Sequence, residues 1–267
     1  MDQALVEQPP RRGFCSLVLQ VCSIVAGIIV LPIIGILSLP TLLFLFIFKR
    51  SVLQAVVQAS KYEEFEKAPH YKSPALLARV WATPVGQQYL RGDLEYQQRE
   101  GYCAIASQRN ILKSLPQYPA DHLPPATMGA ATAKQFAKLL DERSHSRTTS
   151  KVVYGDEGFD AFYEAIKLSN DTEYRVTVNF LHATLSGTGS LWLPWNFLFG
   201  IVSGHFSVVL GYLEDEDLVA VFDVNSSYGP YLVETRRLYE SVAAQDISSN
   251  KSRGLIVSKI NPPISIV

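Results

Sequence analysis

From Phe14 to Phe48 the chain carries no charged side chain, and Gln20 is the strongly polar residue of the run. No soluble core of a 267-residue chain accounts for so long an apolar stretch. A helix needs about 20 apolar residues to cross a bilayer, so the block reads as a membrane anchor. As one helix it would measure about 52 Å, against a hydrocarbon core of about 30 Å. Pro32, Gly35 and Pro40 interrupt it. Two forms are possible: a single span from about Phe14 to Val30 with an interfacial piece behind it, or a hairpin that enters and leaves on one side. A secretory signal would have a shorter apolar core and a small-residue cleavage site, and neither is evident. Arg11 and Arg12 precede the block, and Lys49, Arg50, Lys61 and Lys67 come after it. The richer later flank puts the following domain on the cytoplasmic side.

The chain thus divides into a polar tail (1–13), the anchor (14–48), a linker helix (49–80) suggested by helical spacing over 51–72, and a domain (81–267). A formal net charge of -1 excludes the strongly basic footprint of a nucleic-acid binder. Cys15 and Cys22 lie in the apolar block and Cys103 is alone beyond it, so neither a disulfide framework nor a zinc set can be assembled. One domain cysteine suits a reducing compartment. Asn170, Asn225 and Asn250 each begin a glycosylation acceptor. A glycan on Asn225 would crowd Asp223, which speaks against a lumenal domain.

Within the domain, Phe136, Leu139 and Leu140 fit one short helix, and Phe159, Phe162, Ala165 and Ile166 another. Prolines 116, 119, 124 and 125 make a loop ahead of both. After residue 173 strands are predicted over 174–180, 205–212, 218–224 and 255–260, with a helix over 235–243. A helical first half followed by an antiparallel sheet argues for an α+β domain. Between the first two strands lies an insert carrying Trp192, Trp195, Phe197 and Phe199. It can be read as a packed core insert, as a hydrophobic lid, or as a membrane-dipping loop, since tryptophan favours the interface.

Cys103 precedes Ile105, Ile111, Leu112 and Leu115, which recur at helical spacing. It therefore opens a helix, where partial positive charge favours the thiolate, the nucleophilic form. The competing reading is a small buried hydrophobe. A nucleophilic cysteine needs a base, and the base an orienting group. Of His70, His122, His145, His182 and His205, the last opens an apolar strand directly after Gly204. In the next strand Asp223 is embedded among Val221, Phe222 and Val224, where a carboxylate is costly unless paired. With a turn at residues 214–217, His205 and Asp223 are expected opposite each other across a hairpin. Gln97, six residues before Cys103, can donate to the oxyanion of a tetrahedral intermediate alongside the Cys103 N–H, with Gln98 as the competing choice.

Gln97, Tyr102-Cys103-Ala104-Ile105-Ala106-Ser107, Gly204-His205-Phe206-Ser207, the eighteen-residue step from His205 to Asp223, and Lys251-Ser252-Arg253-Gly254-Leu255 with Ser258-Lys259 stand in an order that resembles the phytochelatin synthase family. The resemblance runs from about Thr83 to Lys259 and implies a papain-like fold. It implies that Cys103 attacks glutathione at its Cys–Gly bond, glycine leaves, and the γ-glutamylcysteinyl group passes to a second glutathione or to water. It assigns Cys103 as nucleophile, His205 as base and acid, Asp223 as orienter and Gln97 as oxyanion donor. Asp246 and Arg253, with Gly204, become the substrate-binding set. A γ-glutamyl group ends in an ammonium and a carboxylate, which one acidic and one basic side chain would recognise. Otherwise Asp246 and Arg253 would read as a surface ion pair. The resemblance implies no fixed cofactor or protein metal site; cadmium or zinc would act as glutathione thiolates.

Some residues depart from the family pattern. Ala104 replaces the usual glycine, Ser226 stands where an arginine is common, and the loop after Asp223 is one residue shorter. The anchor and the tryptophan-rich insert are unusual, and no cysteine-rich C-terminal region is seen, which favours the short form in which hydrolysis dominates. Two rivals remain: a papain-like peptidase or amidase with another substrate, and a non-catalytic membrane adaptor on a degenerate enzyme fold. The sequence leaves the oligomeric state open.

Overall fold

The computed structural model describes residues 61–127, 129–187, 204–246 and 248–262, with Pro40, Leu43, Ile47, Arg50 and Val57 ahead of them. Apart from Pro40, Leu43 and Ile47, the expected anchor lies outside the described residues, as does the insert with Trp192 and Trp195. Among the described residues no helix is long and apolar enough to cross a membrane. The chain divides into two units, Met1–Arg50 and Ser51–Val267, and the helices and strands of the packed body belong to the second.

The linker helix expected over 49–80 does not run through residues 61–73, which form turns and one short 3-10 piece, Phe65–Lys67. Pro69 is the cause: it lacks an N–H and drives the preceding residue out of helical geometry, leaving Ala68 extended at ψ 135°. The apolar residues there are docking points instead. Phe65 and Tyr71 are buried against Tyr231, with ring centroids 5.2 and 5.7 Å away. The Leu232 N–H donates to the Tyr71 carbonyl at 2.8 Å. Tyr62 and Glu63 already meet Arg237, so among the described residues the packed body takes in the chain well ahead of residue 81.

Two Ser/Thr-Pro steps start the first helices, α1 (Pro74–Trp81) and α2 (Pro84–Arg91). Ser73 and Thr83 cap them by accepting from the N–H groups of Leu76 and Gly86, and each proline stands where no N–H is needed. Helix α3 (Cys103–Ser114) and α4 (Ala133–Arg143) come next, the second capped by Thr132.

The sheet has six strands, all antiparallel, in the order β1 (Thr148–Tyr154), β8 (Gly254–Ile260), β2 (Tyr174–Leu181), β3 (Gly204–Leu213), β4 (Leu218–Phe222) and β5 (Pro230–Glu234). Period-two alternation splits its apolar residues between two faces. Phe206, Val208, Leu210, Ala220 and Phe222 pack with Ile111, Leu112, Phe136 and Leu140 from α3 and α4. Val209, Val219, Val221 and Tyr231 pack on the other face with α5 (Phe159–Lys167) and α7 (Thr235–Ala243). The fold is α+β with both faces of the sheet covered, which is why its central strands are buried almost end to end.

Strand β1 precedes residue 173, so the helical half is not separate from the sheet. Its Thr-Thr-Ser-Lys start is polar because it is an edge strand, and edges tolerate polar residues. A short helix α6 (His182–Ser186) closes β2, and a two-stranded hairpin, β6 (Gln245–Asp246) and β7 (Lys251–Ser252), precedes β8.

Candidate active site

Cys103 is the first residue of α3 and half-buried. Tyr102 supplies no capping side chain, and the Ala104 backbone at the helix start favours the thiolate. Further along the helix, the Ser107 hydroxyl donates to the Phe206 carbonyl at 3.1 Å, tying α3 to the strand that carries His205. Gly129 lies against the helix start: a Cβ there would stand 2.8 Å from Ala104 Cβ and 2.7 Å from Ile105 N. A side chain at residue 104 is thus accommodated by the lack of one at 129.

His205 and Asp223 form a buried pair, with Nε2 donating to Asp223 Oδ1 at 2.6 Å. They are not opposite each other across the hairpin, as expected, but diagonal. Leu213 pairs with Leu218 and, beyond a bulge between Val209 and Gly211, Val208 pairs with Phe222; the shifted register sets Asp223, just past the end of β4, level with Ser207, two residues from His205 and on its face of the sheet. The run Val208-Val209-Leu210 is apolar on both faces and gave no sign of the bulge. Asp223 is held in place by its N–H donating to the Gly229 carbonyl at 2.9 Å, and its Oδ1 also accepts from the Asn225 N–H at 2.8 Å. Phe180 meets the His205 ring edge-on at 5.4 Å.

With Nε2 committed to Asp223, Nδ1 is the nitrogen left for the sulfur, and Cys103 and His205 are close enough for each to shift the other's protonation. Burial pushes the Cys103 thiol up, but the His205 bond and charge, with the backbone at Phe206 and Ala104, outweigh it and hold the thiol below its ordinary value. Burial likewise opposes an imidazolium at His205, yet Asp223 and then Cys103 raise it to about 10. Both shifts favour a thiolate–imidazolium pair.

None of the other histidines is bonded to the cysteine. His70 is 3.4 Å from Glu234, and His122 and His145 are exposed. His182 stands beside the pair, its ring 6.3 Å from His205 and 5.1 Å from Tyr228. Its Nδ1 is 2.9 Å from Ser186 Oγ, a partner the sequence did not suggest. Burial, then the charge of His205, pushes His182 down to about 4, so it is neutral.

Gln97 is half-buried and Gln98 exposed. The Gln97 N–H donates to the Val224 carbonyl at 2.7 Å, beside Asp223. Its Oε1 is buried and accepts no bond among the described residues.

Asp246 and Arg253 are 5% and 2% exposed, so they are not the surface pair that was the alternative reading, and no ion pair joins them among the described residues. Asp246 sits on the β6–β7 hairpin and accepts from the Ser248 N–H at 3.0 Å and the Ser249 hydroxyl at 2.8 Å. The hairpin is pinned at its base: the Gly155 N–H donates to the Arg253 carbonyl, and the Arg253 N–H to the Ala244 carbonyl. The Arg253 guanidinium reaches under Gly204, where a Cβ would lie 1.9 Å from Nη1. Burial disfavours its charge, while Asp246 and Cys103 support it. Its Nε is buried with no acceptor among the described residues. Nη1 is 3.5 Å from Asn179 Oδ1, and Asn179 also donates to the His205 carbonyl at 3.3 Å. Asn179 was missed in the sequence, although an amide inside the apolar strand 174–181 is the same signal that singled out Asp223.

Chemically, the arrangement supplies an activated sulfur nucleophile, a proton carrier beside it, and a buried cation with an unused donor nearby. Among the described residues no three His, Cys, Asp or Glu side chains are grouped to hold a metal ion. No curated protein matches the chain. Residues 127–255 match the family model described as phytochelatin synthase. The match takes in His205, Asp223, Asp246 and Arg253 and stops short of Gln97 and Cys103, which the fold brings to the same place. Over residues 127–255, a little under half of its length, the chain is thus similar to the phytochelatin synthase family.

Proposed function

We propose that this protein is a thiol acyltransferase or hydrolase acting on glutathione on a papain-like fold. The family relation supports glutathione-linked γ-glutamylcysteine transfer. The observation that carries the finer reading is the series Cys103–His205–Asp223 with the underused Arg253 beside it. In this reading the Cys103 thiolate attacks the cysteinyl carbonyl of glutathione. The oxyanion takes the Cys103 N–H and the Gln97 amide as donors. The His205 imidazolium gives its proton to the glycine nitrogen as the C–N bond breaks, and free glycine leaves. Water or a second glutathione then returns a proton to His205 as it takes the γ-glutamylcysteinyl group from sulfur. Arg253 grips the γ-glutamyl carboxylate and Asp246 its ammonium.

The membrane anchor at residues 14–48 and a cytoplasmic domain belong to the same proposal. The Asn170 side chain supports the second: it donates to the Tyr212 carbonyl and accepts from the Tyr212 N–H, both at 2.8 Å, and a glycan would break the first bond. Cadmium or zinc enters as a glutathione thiolate, on the substrate. The test is the full-length protein with glutathione, with and without cadmium, and products resolved by mass. Free glycine and a γ-glutamylcysteinyl adduct on Cys103 are expected, and both disappear in Cys103→Ser. Glycine release that survives Cys103→Ser overturns the reading, and a different acyl group on Cys103 moves the protein to another amide substrate.

A further inference from the structure

The proposed oxyanion donor sits on a segment with no regular structure: residues 93–97 belong to no helix or strand. Such a segment positions a side chain only if something else holds it. Asn110 does so from α3. The Glu95 N–H donates to Asn110 Oδ1 at 2.8 Å, and Asn110 Nδ2 donates to the Glu95 carbonyl at 2.9 Å. One amide thus satisfies both backbone groups of one residue, as a neighbouring strand would.

The placement is set by helix geometry. Asn110 is seven residues after Cys103, nearly two full turns, so it projects from the same side of α3. It is 1% exposed, and asparagine is a poor helix-interior residue that calls for a specific partner. Its neighbour Arg109 closes a second lock, with Nε and Nη2 donating to the two oxygens of the Glu95 carboxylate. Two residues on, the strap is fastened at its other end by Gln97 N–H to the Val224 carbonyl, with Tyr96 stacked on Phe222 at 5.1 Å. The strap spans from the helix of the sulfur to the end of the strand that leads to Asp223.

We propose that Asn110, assisted by the Arg109–Glu95 pair, is a positioning residue that fixes the Gln97 amide relative to Cys103. This inference rests on Gln97 being the oxyanion donor in the function proposed above. Asn110 touches no reacting atom; it acts through the backbone of residue 95.

The test uses the full-length protein and glycine release from glutathione. Asn110→Ala is expected to lower kcat by about 10- to 100-fold, the cost of misplacing a catalytic group by about 1 Å, with KM within twofold. The Gln97→Ala/Asn110→Ala double variant should be no slower than Gln97→Ala alone, because the two changes remove one interaction. The pH profile of Cys103 alkylation by iodoacetamide should stay that of the wild type, which general loosening of the fold would not allow. If Asn110→Ala folds poorly, Glu95→Gln reads the same strap through its other lock and should lower kcat several-fold with KM unchanged. Additive losses in the double variant, a displaced alkylation profile, or wild-type kcat in both Asn110→Ala and Glu95→Gln would overturn the proposal. Wild-type kcat in Gln97→Ala would overturn it together with the oxyanion assignment. Hydrogen exchange separates these failures from failure of the function. Should the wild type release no glycine, loss of protection at the Glu95 amide that extends to the Gln97 amide in Asn110→Ala would still support the strap, and unchanged protection at Gln97 would refute it.

Discussion

Gly204→Ala tests the cleft with a single added methyl group. The new Cβ would stand 1.9 Å from Arg253 Nη1, 2.9 Å from Cζ and 3.2 Å from Nη2. Relaxed contact needs about 3.5 Å, so the guanidinium must retreat by roughly 1.5 Å. It has little room to do so, being 2% exposed and bordered by Asn179. The Gly204 backbone is not in the left-handed region, so alanine itself is tolerated there. Overpacking costs about 1–3 kcal/mol of stability, offset by about 0.4–1 kcal/mol from replacing glycine. Tm should therefore fall only modestly. Catalysis should suffer more: losing a charge-assisted bond to the substrate carboxylate costs about 1.5–3 kcal/mol, roughly 10- to 150-fold in kcat/KM for glutathione. The assay is a double-mutant cycle with Arg253→Met, which keeps the stem and removes the charge. Gly204→Ala should add nothing in that background. Wild-type kcat/KM in Gly204→Ala, or an undiminished effect in the Arg253→Met background, would refute the idea that Gly204 serves the guanidinium.

Asp223→Asn keeps the shape and removes the charge that raises His205, so His205 should return towards its ordinary value and the Cys103 thiol should rise. Glycine release should fall on the order of 10²- to 10⁴-fold, and a pH–rate profile unchanged from wild type would contradict this. His182 predicts an acid sensitivity with a definite sign. Its folded value, about 4, lies below its ordinary 6.5, so the unfolded chain takes the proton first and stability falls as pH drops through that window. Urea unfolding at pH 7 and pH 4.5 should show the wild type losing about 2–3 kcal/mol more than His182→Gln. Equal acid losses in the two proteins would show that His182 is not held neutral.

The local signals in the sequence were good where one residue type sat in an environment that costs it something. Asp223 among valines and His205 at a strand mouth were legible for that reason, and Asn179 would have been by the same argument. Helices with a clear apolar face, such as 133–143 and 159–167, were also legible. Long-range geometry was not. The bulge near Leu210 sits in a run of uniformly apolar residues, so alternation could not reveal the one-residue shift that puts Asp223 on the face of His205. Strand β5 begins on a proline and is five residues long, too short for its period to stand out. Residues 61–73 have helix-like spacing of apolar groups, yet Pro69 turns that spacing into a set of aromatic anchors on Tyr231. The burial of Asp246 and Arg253 depends on how a hairpin folds over Gly155, which no local pattern encodes.

The proposed chemistry requires sulfur and imidazole to share a proton inside the cleft. Its most direct test is the rate of iodoacetamide alkylation against pH, monitored on the peptide containing Cys103 so that Cys15 and Cys22 do not contribute. In the wild type the rate should rise through an inflection below the ordinary thiol value of about 8.5, because His205 holds the thiolate. In His205→Ala only burial and the backbone groups remain, and the inflection should move up. A wild-type inflection at the ordinary value, unmoved by His205→Ala, would contradict the pairing and the enzyme reading built on it.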